Sequence, residues 1–576
     1  MLGFLAIGGA DLDASAVQPR THTMGPTVSG RVDVEGVSLT RTTNPKFLDD
    51  KVLAADDEIA VALDGVVFNF EALREAEGAP DNFKTLKSLY QQHGDTFFTH
   101  LRGEWAGALY DRARGRWVAF TNQTASKPLF YYACDGLFAC STQFDVLTRV
   151  LRDLGHSLSL DEFGAYCLLT YGYMIENVTL VSEIRKLKAG QYLTCEAGKV
   201  QVGEWVRLCN EPYLTDSKED IIERVDDLFK QAVAMQYDKD RACGYDHLAT
   251  LSGGLDSRMN VMVAHELGYR PQVTMTFSQS DYMDMKIANE IARDLGVEFL
   301  FYALDGGDYL RRVFPDAVRA SGGLILYGGS AHLLSTLKRL DVSRVGMLHT
   351  GMVGDAVLGS FLTGVASAGA VLPAGAYSTL LINRIAKDVQ TAIDRYETED
   401  EFLMYNRGCN AALHGNWVTY QMTECTSPFL DVEFLAYCMR IPRLFRYKEQ
   451  IYVDWIVAKH PSADRYAWER LRGARPSQGP VVRFLKKYFW AASVLGRGRW
   501  DLVTMNPLKS WEKSNTALME FMEDYWRTHA EVLEDYAQIR SDCERLFYSK
   551  GSWIEGSIPA KSQVLTLVEA VRLIWG

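Results

Sequence analysis

The chain has no Cys-x-x-Cys pair among its ten cysteines, no Gly-Lys-Ser or Gly-Lys-Thr phosphate turn, no internal repeat and no low-complexity tract. Without paired cysteines at metal or redox spacing, thiols that lie mostly in apolar runs read as the reduced, buried residues of a cytoplasmic protein. No uncharged run reaches spanning length, which argues against an integral membrane protein. Met1 to Ile7 is apolar, but it lacks a basic leader and Asp11 and Asp13 soon follow, so it reads as a first strand and not a signal peptide. Positive charge is outnumbered, 61 lysines and arginines against 73 acidic residues, for a net charge of −12. That balance disfavours nucleic-acid wrapping and points to small molecules or proteins as partners.

With 576 residues, two or more domains are expected. Residues 1–205 carry short apolar or alternating runs, such as Glu58 to Phe70, Trp117 to Thr121 and Leu129 to Tyr132, separated by Gly, Asn and Asp turns. This is a strand-rich domain with a few helices. The pattern breaks around Glu211 to Asp216, and Ser217 then caps a helix with Ile221, Val225, Leu228, Phe229 and Ala232 on one face. A second domain, 215–576, begins there. His247 to Leu251, Gln272 to Phe277, Glu298 to Tyr302 and Val345 to His349 read as strands with helical stretches between the first three, the signature of a parallel, doubly wound sheet. Ligands bind beyond the carboxyl ends of such strands, where the loop Thr350 to Ala356 faces the end of the first. From about residue 360 the reading is mostly helical.

The end of the first parallel strand carries Ser252-Gly253-Gly254-Leu255-Asp256-Ser257. A glycine-rich strand-to-helix turn lets backbone N–H groups approach phosphate oxygens, and the Ser257 hydroxyl adds a donor. Asp256 makes electrostatic sense there only if a divalent cation bridges it to the phosphates. The turn reads as a nucleoside triphosphate site, and it resembles the loop of the ATP pyrophosphatases.

Taken in order, the motifs resemble the asparagine synthetase family. In the first domain the resemblance rests on Ala62 to Asn69, Leu101 to Asp111 and Ser126 to Tyr132; in the second, on the loop at Ser252, the Thr276-Phe277-Ser278 strand end, Gly351 to Asp355 and Ser427 to Asp431. It implies an α/β protein: a degenerate N-terminal Ntn-type αββα sandwich, then an adenine-nucleotide α-hydrolase-like parallel α/β synthetase domain with a helical C-terminal part. It further implies ATP and magnesium, a carboxylate adenylated with release of pyrophosphate, and an amine or ammonia that displaces AMP. Ser252, Gly253, Gly254 and Ser257 are expected to hold the pyrophosphate portion, Asp256 and Asp355 to bind magnesium, and Gly351 with Leu251, Thr276, Phe277 and Ser278 to line the nucleoside pocket. A homodimer is left open.

The departures carry functional information. Glutaminase activity in this family uses a cysteine at position 2, and here it is Leu2; the glutamine-binding Asn-Gly-Glu turn is Asp64-Gly65-Val66, which lacks the substrate-anchoring carboxylate. Where asparagine synthetases carry glutamate and β-lactam synthetases tyrosine as base, this chain has Met352. A thioether takes no proton, which leaves His349, Tyr327, His332 or the substrate itself as candidate bases. The family lysine near the α-phosphate has its best match in a cluster without lysine, Trp468 to Pro476, where Arg470, Arg472 and Arg475 stand as substitutes. The expected function is amide formation without glutaminase chemistry. Rival readings are an intramolecular cyclase of the β-lactam or lasso peptide type, a non-catalytic ATP-binding scaffold, and a glutamine-hydrolysing synthetase.

Overall fold

The structure is a computed structural model that describes residues 2–576 apart from 11, 135, 367–368, 480–503 and 553–554. The first domain stacks two antiparallel sheets. One is ordered β10-β8-β9-β1-β3-β2, from Arg185–Lys186, Phe130–Cys134, Leu137–Ser141, Gly3–Gly9, Val37–Thr43 and Val28–Val34. The other is ordered β12-β11-β7-β6-β5-β4, from Lys199–Glu204, Gln191–Glu196, Arg116–Thr121, Gly103–Asp111, Ile59–Val67 and Leu53–Ala55.

Side-chain alternation decides the layering. Phe4 and Ala6 of β1, Ala60 and Ala62 of β5, and Ala106 and Ala108 of β6 form one core between the sheets. The alternate residues Ile59, Val61, Leu63, Trp105 and Leu109 face outward, under α1 (Phe70–Glu77) and α2 (Asn82–His93). Leu5 and Ile7 face the opposite way, toward α3 (Phe144–Asp153) and α4 (Glu162–Tyr171). The result is the expected αββα sandwich, and alanine on the facing strands lets the sheets approach closely.

The second domain opens with α5 (Lys218–Ala242), whose cap Ser217 accepts from the Asp220 amide as the sequence predicts. Its sheet is parallel, ordered β15-β14-β13-β16-β17, from Glu298–Ala303, Gln272–Ser278, Asp246–Thr250, Val345–His349 and Cys425–Thr426. The first four lie within a residue of the expected strands. The two-residue β17, pairing with Leu348 and His349, carries too few residues for a periodicity signal. The helices α6 (Leu255–Glu266) and α7 (Met283–Leu295) follow β13 and β14.

The domains are continuous in one respect the sequence does not show. The last helix, Ile558–Trp575, packs Val564, Leu567 and Val568 into the same core as Phe144, Leu147 and Tyr166 of the first domain. Gln563 donates to the Leu168 carbonyl at 3.1 Å and the Trp575 indole to that of Leu158 at 3.0 Å. Among the described residues no helix is long and apolar enough to cross a membrane.

Candidate active site

Between β13 and β16, at their carboxyl ends, lies a cavity of about 380 Å³. Its floor is the Ser252–Ser257 turn. The Ser257 hydroxyl accepts from the Ser252 amide at 2.9 Å and lies 3.0 Å from the Ser252 hydroxyl, which also accepts from the Gly254 amide at 3.2 Å. Helix α6 then starts at Gly254 with no side-chain cap, so its positive end opens on the cavity.

The loop after β16 presses on this turn. A side chain at Gly351 would stand 2.3 Å from the Ser257 nitrogen, so only glycine permits the contact. Val353 is held at φ 61°, an unfavourable conformation for a β-branched residue. That backbone delivers the Asp355 amide to the Asp256 carboxylate at 3.0 Å, while the Tyr452 hydroxyl donates to its other oxygen at 2.9 Å. Burial, together with the like charge of Asp355, holds the Asp256 carboxyl well above the ordinary carboxylate range.

Among the described residues five carboxylates line this cavity, Asp256, Asp284, Asp355, Glu449 and Glu469, against one guanidinium, that of Arg470. Arg470 reaches Glu449 at 2.6 Å and Asp355 at 3.1 Å. Asp284 accepts from the Gly253 amide at 2.9 Å, and burial pushes it up to about 6. Glu469 accepts from the Tyr282 hydroxyl.

Among the expected ligands, Ser252, Gly254, Asp256, Ser257, Phe277, Gly351, Asp355 and Arg470 line the cavity. Leu251, Gly253, Thr276 and Ser278 do not line that cavity. The Thr276 hydroxyl is spent on the Leu251 carbonyl, that of Ser278 on the Gln279 carbonyl, and the Gly253 amide on Asp284. Arg472, in a left-handed turn at φ 55°, and Arg475 are exposed and outside the cavity.

The candidate bases separate as clearly. His349 is fully buried on the far side of its strand, 2.7 Å from Asp240, and Tyr327 is fully buried away from the cavity. His332 does line it, with its ring 4.9 Å from that of Phe277, and burial pushes its imidazole down to about 4, so it is neutral at pH 7. Sequence reasoning missed Asp284, Glu449 and Glu469. Asp284 had a signal, since it opens the helix after β14 at the carboxyl edge of the sheet; Glu449 and Glu469 come from irregular turns with none.

In the first domain, Leu2 is buried at 2% exposure, and Val66 packs with Phe47 against Met347 of the second domain. Asp64 is buried and paired with Lys127 at 2.8 Å, and its other oxygen accepts from Thr43 at 2.9 Å.

An antiparallel αββα sandwich docked on a parallel α/β domain with a glycine-rich phosphate turn defines an amidotransferase-plus-synthetase architecture. Residues 49–206 match the model of a glutamine amidotransferase domain, and 224–398 that of asparagine synthase. A putative asparagine synthetase [glutamine-hydrolyzing] 2 of Methanocaldococcus jannaschii is 25% identical over 38% of this chain and 43% of its own length. Amidase chyE of Penicillium rubens is 24% identical over 50% of this chain and 44% of its own, and asparagine synthetase B [glutamine-hydrolyzing] of Escherichia coli 22% over 52% of each. The matches thus span about half the length of these curated relatives or less. The chain belongs to the asparagine synthetase family.

Proposed function

We propose that the protein is a cytoplasmic ATP- and magnesium-dependent carbon–nitrogen ligase that adenylates a carboxylate, releases pyrophosphate and joins the acyl group to an amine or ammonia, without glutaminase activity. The observation that carries this reading is the charge of the cavity: five carboxylates and one guanidinium around a phosphate turn. A polyphosphate enters such a wall only with divalent cations. The donor set fits magnesium, since Asp256 and Asp355 offer hard oxygens side by side, with the Asp355 amide 3.0 Å from the Asp256 carboxylate. Bound there, magnesium would offset the charge developing on the departing pyrophosphate.

The chain's own groups would act as follows. Ser252, Gly254 and Ser257 hold the β- and γ-phosphates, with the open N-terminus of α6 behind them. Asp355 with Asp256 would hold magnesium, and Arg470, the guanidinium beside them, would face the α-phosphate. His332 takes the proton that the attacking amine must lose, the task Met352 cannot perform. Glutamine does not supply that amine, because Leu2 offers no nucleophile and Val66 is committed to an apolar contact between the domains.

The test is exchange of labelled pyrophosphate into ATP with a panel of carboxylates. Exchange with AMP formation supports the reading, and ADP formation refutes it. The scaffold reading is favoured by Met352 and by the pairing of Arg470 with both Glu449 and Asp355; ATP binding with neither product from any carboxylate would establish it.

A further inference from the structure

A second cavity, of about 350 Å³, adjoins the first and shares with it His332, Leu333, Met352 and Asn416. Its chemistry is opposite. The first is lined by five carboxylates; the second, among the described residues, has none, and its one full charge is the guanidinium of Arg407. Arg407 makes no ion pair among the described residues and lies 5.6 Å from the centre of the Phe361 ring. The rest of the wall is mainly apolar, with Tyr173 and Tyr377 the principal aromatic groups. The Tyr173 hydroxyl is already used on the Gly375 carbonyl at 3.1 Å, which leaves Arg407 as the strongest donor.

Such a wall selects its occupant. An ammonium there would find no carboxylate in the wall and would stand near a like charge, so a zwitterionic amino acid is disfavoured by desolvation and repulsion together. An apolar body is favoured by the wall, and a terminal anion by Arg407, which forks onto carboxylates. We propose that the second cavity binds the acyl substrate, and that this substrate is an ammonium-free carboxylic acid with an apolar or aromatic body and a second anionic group held by Arg407. This rests on the ligase reading above. It also implies that the amine arrives on a separate molecule, against the intramolecular cyclase.

Three probes share one skeleton and differ only at the far end: benzene-1,4-diacetate, 4-methylphenylacetate and 4-(aminomethyl)phenylacetate. Calorimetric titration of each into the full chain, with magnesium and a non-hydrolysable ATP analogue, should rank the diacid about tenfold or more above the methyl compound and the ammonium compound last. Arg407→Leu, a change at an exposed position, should erase the advantage of the diacid and leave the methyl compound unchanged. Equal binding of the ammonium compound, tighter binding of aspartate, an unchanged ranking in Arg407→Leu, or no binding by any probe overturns the inference. The two proposals fail separately. The ranking without pyrophosphate exchange refutes the ligase and supports the pocket, whereas exchange with aspartate alone supports the ligase and refutes the pocket.

Discussion

The ammonium of Lys127 stands 2.8 Å from the carboxylate of Glu424, across the junction of the two domains, with both side chains at 2% exposure or less. Lys51 reaches the other Glu424 oxygen at 2.8 Å, Asn44 donates to it at 2.8 Å, and Lys127 also pairs with Asp64. Glu424 directly precedes β17, the strand whose Thr426 carbonyl accepts from the Thr350 amide at 2.8 Å at the root of the Gly351–Asp355 loop. Truncating one member of a buried ionic cluster strands the others without a partner. Glu424→Ala should therefore cost about 3–5 kcal/mol in denaturant unfolding. A loss below about 1 kcal/mol would show that the cluster is not what holds the domains together.

Asp256→Asn and Asp355→Asn should each abolish pyrophosphate exchange while the fold survives. Thermal melts with and without magnesium plus ATP check the cause: the wild type should gain stability on addition of both, and each variant much less. Exchange within threefold of wild type in either variant would remove that carboxylate from the cation site.

His332→Ala should separate the two half-reactions. Adenylation needs no proton removed from an amine, so exchange should persist, while amide formation should fall by about 10²–10⁴. Met352→Ala should leave both close to wild type. Equal loss of exchange and amide formation in His332→Ala would mark the imidazole as a packing group.

Glu104 gives a pH dependence of definite sign. It is buried, accepts from Ser126, Asn122 and Thr426, and is pushed up to about 7 by burial. Because its folded value lies above its unfolded one, its contribution is full below about pH 4.5 and is lost as pH rises through 7. Glu104→Gln should match wild type near pH 4.5 and melt increasingly higher than wild type from pH 6 to 8. A melting difference that does not change with pH would contradict the assignment.

No glutamate should be released from glutamine above a heat-treated control, and Leu2→Cys alone should not restore release. The variant would regain a thiol, but Val66 still packs on Met347 and Asp64 still pairs with Lys127.

The sheets, the α5 cap and the phosphate turn were legible because each rests on local periodicity or a turn of fixed chemistry. Asp256, Gly351 and Asp355 were legible because a sequence motif carries them. Arg472 and Arg475 were misplaced for the opposite reason: a charge run says nothing about which way an irregular turn points its side chains. Glu449 and Glu469 were invisible because they stand on irregular turns without periodicity, and the Lys51–Glu424 pair because its partners lie far apart along the chain and nothing local at Lys51 or Glu424 distinguishes a buried ion from a solvated one.

The cluster around Glu424 also sets an order of events during synthesis. Asn44 and Glu424 are 380 residues apart, which at ribosomal speed is a delay of about 20–75 s. Throughout that interval Lys51 and Lys127 share Asp64 as their one carboxylate partner of the cluster, so the newly made sandwich holds an excess of positive charge where its closed state admits no water. Those two lysines therefore lack their second carboxylate until the second domain has been made.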